Sequence, residues 1–516
     1  MAASKTIAIV ATTLASIFAR FASLASQAIV GWYLSEEQVG TYAFALGVMG
    51  ITSVFRAGGV GLYLPSVRSD KLDESVPQFL AWSVMFMWGS GAATIATALA
   101  APSLSTHFGN FGLSGLQATL LLLGARQFVA PFAIVARVRV SARKEFTDLA
   151  RADTFIALMR VAMTWIVARE GGGVLALAIP YVAQTVIEVV AITSLGGLRR
   201  SDLRIRGVSL SKVGAILAWP LVAGVMLSVR SDVIFLILGF TIPAAGLGLF
   251  YFAFQLSNQP TMLLATALQT VLAPYQAEDR GNRAAERVGM ERVFSGAMLF
   301  VPVTTIATAS LFPSLEALIW GGRWAGATDC LLYLCIGATY STVSALMTGP
   351  LIGLRRFRAL TIFEATKIVG TVGGGIAGAL IARFGGDGDF GGASDATIVG
   401  ASVGIAMGAV AVAQLAWIML RVGSSVGDIG RGLVFGPVLA MLTALASQSI
   451  GHSIRESFDV PAGRPGAAIE LASVSVVYVG LITLAIRFTA EPTLRETISV
   501  LPAPAARVLN RFFGFR

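Results

Sequence analysis

The chain has 516 residues, of which 55% are hydrophobic and only 13% are charged, and its mean hydropathy is +0.77. A soluble globular protein carries about a quarter charged residues, so this composition excludes that class. The formal net charge is +10, but the cations are distributed over many loops between apolar segments. Because a nucleic-acid surface gathers its cations on one face or in one tail, nucleic-acid binding is excluded as well.

Apolar segments long enough to cross a bilayer recur along the whole chain, which predicts an all-α polytopic membrane protein. About 14 transmembrane helices are expected. Their predicted spans are 6–34, 40–64, 79–101, 113–136, 149–169, 173–196, 212–239, 243–272, 293–318, 326–350, 359–383, 396–420, 431–452 and 466–488.

Lysine and arginine are concentrated in every second loop, which places them on one side of the predicted helices. Of the 38 in the chain, 27 fall in one set of alternate loops, including the segments 137–151 and 199–206, and five fall in the opposite set. Cytoplasmic loops carry the excess of cations in membrane proteins. The pattern therefore predicts a multi-pass membrane protein with both termini in the cytoplasm.

The first span contains a single cation, Arg20, in the stretch "TTLASIFARFASLASQAIVGW". At about 1.5 Å per residue it lies roughly 20 Å from either end of the span, too far for its side chain to reach an interface. Arg126 and Arg230 are also central in their spans, whereas Arg56 lies near an inner end, from which snorkelling remains an alternative. An excess of arginines within the membrane is typical of a water-filled cavity that receives an anion.

Three carboxylates also fall inside predicted spans. Glu364 and Lys367 are three residues apart and are expected to pair along one helix face, whereas Arg230 and Asp232 are two apart and face different directions. A role for Asp232, Glu188 or Glu364 in coupling transport to H⁺ or Na⁺ is a hypothesis that no motif anchors. No other cofactor is expected.

No catalytic arrangement is recognisable in the sequence. The nucleophile elbow, the zinc-binding H-E-x-x-H motif and the phosphate-binding loop are absent from it, so the chain is not expected to be an enzyme. Asp387 and Asp389 form a D-x-D pair in a glycine-rich stretch, for which a turn is favoured over a cation site. No metal site is predicted.

A weak internal repeat relates the second and eighth spans. "VGTYAFALGVMG" from Val39 can be laid over "LGLFYFAFQLSN" from Leu247. Gly40 then aligns with Gly248, Tyr42 with Phe250, Phe44 with Phe252 and Pro65 with Pro274. The repeat predicts two six-helix lobes, with substrate sites between such repeats near the midplane. The expected parts are lobes over 1–200 and 208–422, two further transmembrane helices over 423–488 and a basic cytoplasmic tail over 489–516.

Four motifs occur in the order found in one transporter family: "LSEEQVG", "GGGVLALAIPYVAQ", "LGLFYFAFQLSNQP" and "LIWGGRWAGATD". With them the chain resembles the Wzx-like polysaccharide flippases of the multidrug/oligosaccharidyl-lipid/polysaccharide exporter superfamily. The resemblance implies cationic residues lining a central cavity, and Arg20, Arg56 and Arg230 stand at positions that could fill this role. Arg126 is added because of its depth in its span.

The resemblance also implies a function. Such proteins move undecaprenyl-pyrophosphate-linked oligosaccharide repeat units from the inner to the outer leaflet for surface polysaccharide biosynthesis, by alternating access. The partners implied are this lipid-linked glycan, the bilayer and, as candidates, a polysaccharide polymerase and glycosyltransferases. Two alternatives within the superfamily stay open, a multidrug cation antiporter and a lipid II flippase. A scaffold without transport activity is a further alternative.

Overall fold

The computed structural model describes residues 2–53, 60, 69–103, 111, 113–143, 145–203, 210–259, 282–347, 357–385, 392–457 and 463–489. These parts are helical, with short turns between the helices and no strand among them. Arg56, His107, Asp387, Asp389 and the tail from residue 490 lie outside the described residues.

The helices are numbered α1 to α14 in chain order. The first seven are α1 (Ala2–Tyr33), α2 (Glu36–Thr52), α3 (Ser69–Ala100), α4 (Leu113–Ala142), α5 (Phe146–Arg169), α6 (Leu175–Ser194) and α7 (Leu210–Gly239). The others are α8 (244–259), α9 (Arg283–Ile319), α10 (Thr328–Leu346), α11 (Phe357–Gly385), α12 (Gly392–Val422), α13 (Val426–Ser457) and α14 (Arg464–Thr489). Short 3₁₀ helices occupy Arg200–Leu203 and Ala325–Ala327.

The prediction of an all-α polytopic membrane protein is confirmed. Among the described helices, nine are long and apolar enough to cross a membrane: α3, α4, α6 and α9 to α14. Large apolar side chains are exposed on many of them, as at Leu99, Val190 and Val476. Such surfaces are stable against hydrocarbon rather than water. The total of about 14 transmembrane helices stays a prediction.

Several helices extend beyond the predicted spans. The segment 137–151 was predicted to be a cytoplasmic loop, but α4 continues to Ala142 and α5 begins at Phe146. Likewise α9 begins at Arg283, ten residues before the predicted span. The reason is physical: hydropathy marks where lipid ends, whereas backbone hydrogen bonding carries a helix on into the polar region.

The motif "LSEEQVG" forms the start of α2. The Ser35 backbone N–H donates to Gln38 Oε1 at 3.0 Å, and the Gln38 N–H donates to Ser35 Oγ at 3.3 Å. This reciprocal capping box satisfies two backbone donors that the helix itself leaves without partners. Two residues later Gly40 faces α8, where a Cβ would overlap the Ala244 carbonyl oxygen. The serine therefore starts the helix and the glycine lets it pack closely.

The chain forms two compact units, residues 1–251 with 382–395 and residues 252–381 with 396–516. In the first unit, a buried cluster from α3, α4 and α7 includes Trp82, Val135 and Leu217. In the second unit, α9, α13 and α14 bury a cluster that includes Leu299 and Tyr478. The lobe boundaries expected from the sequence repeat stay a prediction.

Candidate functional site around Tyr42 and Arg126

Arg126, on α4, is half-buried and held by two residues of α6. Its Nε donates to Thr185 Oγ1 at 2.7 Å, and its guanidinium carbon lies 4.0 Å from the centroid of the Tyr181 ring. Tyr181 and Thr185 are four residues apart, so they share one face of α6. The hydrogen bond and the cation–π contact together fix the plane of the guanidinium group inside the first unit.

A buried tyrosine on α2 joins this arginine to a larger group. Tyr42 is 6% exposed, and its ring lies edge-on to that of Tyr251, with centroids 6.0 Å apart. It interacts electrostatically with Tyr181, Arg126 and Arg160. We call these five residues the Tyr42 cluster. They come from α2, α4, α5, α6 and α8, so the packing of five helices assembles them.

The Tyr42 cluster combines two chemistries suited to a glycan–phosphate ligand. Guanidinium groups bind phosphate oxygens through bidentate, charge-assisted hydrogen bonds. Tyrosine provides an apolar face together with a hydroxyl that donates and accepts hydrogen bonds. The cluster has two cations and no carboxylate among its members, so it favours an anionic ligand.

A cavity of about 300 Å³ lies beside Arg126. It is bounded by α3, α4 and α6 and is lined by Met87, Arg126, Ala130, Ala133, Ile134, Arg137, Val138, Thr185 and Glu188. Its wall is apolar apart from Thr185 and the charged groups at its ends. This is the usual make-up of a small-molecule pocket, in which a few polar groups orient the ligand.

The far end of this cavity contains an ion-pair network. Arg137 Nε lies 2.7 Å from Glu188 Oε1, and its two terminal nitrogens bind the Asp153 carboxylate at 2.7 and 3.1 Å. The three side chains are 20–36% exposed and join α4, α5 and α6. Glu188 is thus an ion-pair partner, and an ion-coupling role for it stays a proposal. The sequence assigned Arg137 to a loop, so this network was missed.

The other predicted site residues fall in different places. Arg20 lies on α1 and is half-buried. Arg230 belongs to α7, but its side chain is outside the described parts, and Arg56 is outside them altogether. Asp232, also on α7, packs closely on α2. A Cβ added at Gly50 of α2 would overlap the Asp232 Cβ. Of the four predicted arginines, the structure places Arg126 in the Tyr42 cluster.

The predicted pairing of Glu364 with Lys367 is confirmed. The Lys367 ammonium lies 3.1 Å from Glu364 Oε1, and both residues are almost fully buried on α11, at 2% and 4% exposure. Neighbouring polar groups are also satisfied, since Gln414 of α12 donates to the Phe363 carbonyl oxygen at 2.9 Å. A coupling role for Glu364 stays untested.

A family model described as "polysaccharide biosynthesis protein" matches residues 29–329, more than half of the chain. The chain belongs to this family. All five residues of the Tyr42 cluster lie within the matched region, whereas Arg20 and Glu364 lie outside it. No curated protein matches the chain.

Solved structures of transporters share the fold of this chain. One is the lipid II flippase MurJ in an inward closed conformation, at 11% identity and a TM-score of 0.63, covering 92% of this chain and 98% of that one. Another is an inward-facing multidrug resistance MATE family transporter of the MOP superfamily. It is 14% identical, with a TM-score of 0.58, and the match covers 82% of this chain and 99% of that one. A third is a MOP superfamily transporter from Pyrococcus furiosus Vc1 with a binding pocket of reverse polarity. It is 14% identical, with a TM-score of 0.54, and the match covers 80% of this chain and 95% of that one.

The chain is thus a multi-pass membrane protein of the polysaccharide biosynthesis family with a fold that these transporters share. Local backbone geometry explains part of the motif "LIWGGRWAGATD". Gly321 and Gly322 adopt positive φ values of 69° and 91°, which favour glycine. The buried Trp324 that follows donates its backbone N–H to Glu316 Oε1 at 2.7 Å.

Proposed function

We propose that this protein is a flippase for undecaprenyl-pyrophosphate-linked oligosaccharide repeat units in surface polysaccharide biosynthesis, acting in the bacterial inner membrane. The observation that carries the proposal is the Tyr42 cluster, in which Arg126 lies over the Tyr181 ring and Arg160 acts electrostatically on the buried Tyr42, inside a protein of the polysaccharide biosynthesis family. Arginines are expected to hold the pyrophosphate, and tyrosines to contact the sugars. The lipid tail stays in the bilayer.

The proposed mechanism is alternating access. Two helical lobes expose a common site first to one leaflet and then to the other, so the charged head group crosses while its phosphates stay bound to cations. Arg20, Arg56 and Arg230 join Arg126 in this proposal as further cations along the path. Without such cations, each phosphate charge would have to enter a medium of low dielectric constant.

Coupling to H⁺ or Na⁺ through Asp232, Glu188 or Glu364 is part of the proposal. Glu188 binds Arg137 and Glu364 binds Lys367. A coupling ion at either site would therefore have to compete with a protein cation. The test measures transport at varied pH and Na⁺ concentration in Asp232→Asn, Glu188→Gln and Glu364→Gln variants. The variant in which transport no longer depends on the ion identifies the coupling carboxylate.

The decisive experiment is complementation of a deletion strain. Arg126→Ala and Arg20→Ala are expected to abolish surface polysaccharide and to leave lipid-linked repeat units accumulated on the cytoplasmic face, while the protein still accumulates in the membrane. Arg151→Ala is the matched control, because Arg151 is 79% exposed and pairs only weakly with Asp148, at 3.3 Å. Normal surface polysaccharide in the Arg126→Ala strain would refute the role of the Tyr42 cluster.

A lipid II flippase is the second candidate, since the structure named for that activity matches nearly the full length of this chain. It predicts that depletion stops cell-wall synthesis and causes lysis, whereas loss of the proposed flippase removes only surface glycan. A multidrug cation antiporter is less well supported, because organic cations require accessible carboxylates and the Tyr42 cluster is cationic. Drug sensitivity on deletion, with surface glycan unchanged, would revive it.

A further inference from the structure

A second cavity, of about 470 Å³, lies in the second unit at the N-terminal ends of α9 and α13. Its rim carries Arg287, Arg292 and Arg431, all exposed, and its floor is made by buried apolar side chains that include Phe294 and Met298. The cavity therefore has a cationic rim and an apolar floor, as an amphipathic ligand requires. None of its residues belongs to the Tyr42 cluster.

The packing of α9 on α13 explains why the cavity has this shape. A Cβ at Gly436 would overlap the Met298 carbonyl oxygen, and one at Gly432 would come within 2.5 Å of the Phe294 ring. Gly432 faces Phe294, and four residues later Gly436 faces Met298. The residue numbers rise together on both helices, so α9 and α13 run in the same direction. Small residues at such a crossing let the backbones touch. The cavity opens on the N-terminal side of this contact.

Charges around the rim favour an anion. Glu291 accepts hydrogen bonds from Arg287 at 2.9 Å and from Ser424 at 2.7 Å. Asp428 accepts from Ser425 at 2.6 Å and belongs to the cap of α13. The two carboxylates are thus held by local partners, and three arginines against two acids leave a net positive rim.

The position of the cavity indicates a ligand from the bilayer. The helices α9, α12 and α13 that form it are candidate membrane spans, and the predicted spans of α9 and α13 begin at residues 293 and 431. The rim residues Arg292 and Arg431 stand at these starts, which corresponds to the depth of lipid headgroups. Beyond the rim residue Arg431, and on its side of α13, exposed apolar residues continue outside the cavity at helical spacing: Val434, Val438, Leu442 and Leu445. An acyl chain can lie along this stripe while a phosphate contacts the arginines.

From this geometry we infer that the cavity binds the phosphate headgroup of an anionic phospholipid, in the leaflet that the charge pattern predicts to be cytoplasmic. Basic pockets between transmembrane helices bind such headgroups in this way. The basic C-terminal stretch of the chain has the wrong charge to occupy an arginine rim. The arginines would recognise a phosphate ester, which a phospholipid and a soluble phosphate ester share. The acyl chain is what separates these two ligands.

The test is native mass spectrometry of the purified full-length protein titrated with phosphatidylglycerol, phosphatidylcholine or glycerol 3-phosphate. We expect phosphatidylglycerol to bind best, and the double variant Arg292→Gln/Arg431→Gln to weaken its binding about tenfold. Arg421→Gln is the matched control: Arg421 is an exposed arginine at the end of α12 whose contact is the Trp417 ring, 5.1 Å away. Its phosphatidylglycerol affinity is expected to stay within about twofold of wild type.

A cavity-filling variant separates a built pocket from general surface attraction. Ser295 lines the cavity, and Ser295→Trp fills it without changing any charge. We expect this variant to lose phosphatidylglycerol binding as the double variant does, with its thermal unfolding temperature measured to confirm that it folds. Unchanged binding in either variant would overturn the inference, and equal affinity for glycerol 3-phosphate would overturn the lipid as its source. Glycan export is a separate readout, so the proposed flippase activity stands or falls independently.

Discussion

Gly40 of α2 and Gly248 of α8 pack face to face in a reciprocal arrangement. A Cβ on Gly40 would overlap the Ala244 carbonyl oxygen, and a Cβ on Gly248 would overlap the Glu36 carbonyl oxygen. Each glycine thus meets the carbonyl group four residues before the other, as expected of a local two-fold axis between the helices. These are the two glycines that the sequence repeat aligns, and the repeat itself stays a prediction.

The first prediction concerns this contact. Gly40→Ala or Gly248→Ala must push α2 away from α8, which we expect to destabilise the protein by about 1–3 kcal/mol, the usual effect of overpacking. The measurement is the thermal unfolding temperature of the purified protein. Gly89→Ala on α3 is the control, because a Cβ there meets nothing within 4 Å. If all three variants unfold at the same temperature, the close approach of α2 and α8 does not contribute to stability.

The environments of two aligned phenylalanines extend the same relationship. In the first unit Phe44 stacks on Phe111, with ring centroids 4.4 Å apart and a 9° angle between the rings. In the second unit its repeat mate Phe252 stacks on Trp324, at 4.2 Å and 17°. Both stacking partners lie just before a helix, α4 in one unit and the 3₁₀ turn before α10 in the other. The sequence alignment matched the phenylalanines but not their partners.

Much of the fold could be predicted because lipid imposes simple rules on sequence. Apolar length placed the helices, and the spacing of Glu364 and Lys367 predicted their ion pair, since both depend on residues close in the chain. Arg137 and Arg139 were assigned to a loop because the apolar pattern ends before the helix does, and their ion pairs were missed because the partners are remote in sequence. Arg137 binds Glu188, and the buried Arg139 binds Asp202, with Nη2 3.0 Å from Oδ1.

The Tyr42 cluster shows the same limit at the candidate site. Arg126 could be predicted because a central cation in an apolar span requires a reason. Tyr42, Tyr181 and Tyr251 could not be, because a tyrosine is ordinary in such spans and its significance depends on which helices meet. The spacing of Tyr181 and Thr185, four residues apart on α6, places both on one helix face, but it names no partner across the helix interface.

A second prediction tests how Arg126 is held. Thr185→Val keeps the shape of the side chain but removes the hydroxyl that accepts from Arg126 Nε, whereas Thr185→Ser keeps the hydroxyl. Since a hydrogen bond to a charged group contributes about 1.5–3 kcal/mol, we expect Thr185→Val to slow surface polysaccharide export by about tenfold or more. Thr185→Ser should export nearly as wild type. Equal export by the two variants would show that the bond does not position the arginine for function.

A third prediction tests the contact between Arg126 and the Tyr181 ring. Tyr181→Phe preserves the aromatic face over which the guanidinium lies, and Tyr181→Leu removes it. A cation–π contact in a desolvated site is worth about 2 kcal/mol, so export should fall strongly only in Tyr181→Leu. The readout is the rate at which surface glycan reappears after its removal from cells. Should Tyr181→Phe be as impaired as Tyr181→Leu, the hydroxyl rather than the ring is the functional group.

The last prediction concerns the buried pair on α11. Lys367→Met leaves the Glu364 carboxylate buried without its ammonium, and Glu364→Gln leaves the ammonium without its carboxylate. Because removing one partner of a buried pair leaves an uncompensated charge, each single variant should lose about 3–5 kcal/mol. The double variant Glu364→Gln/Lys367→Met buries no charge and should be more stable than either single variant. Thermal unfolding of the wild type, the two single variants and the double variant gives the coupling free energy between Glu364 and Lys367. Additive losses in the double variant would mean that each residue is stabilised by groups other than its partner.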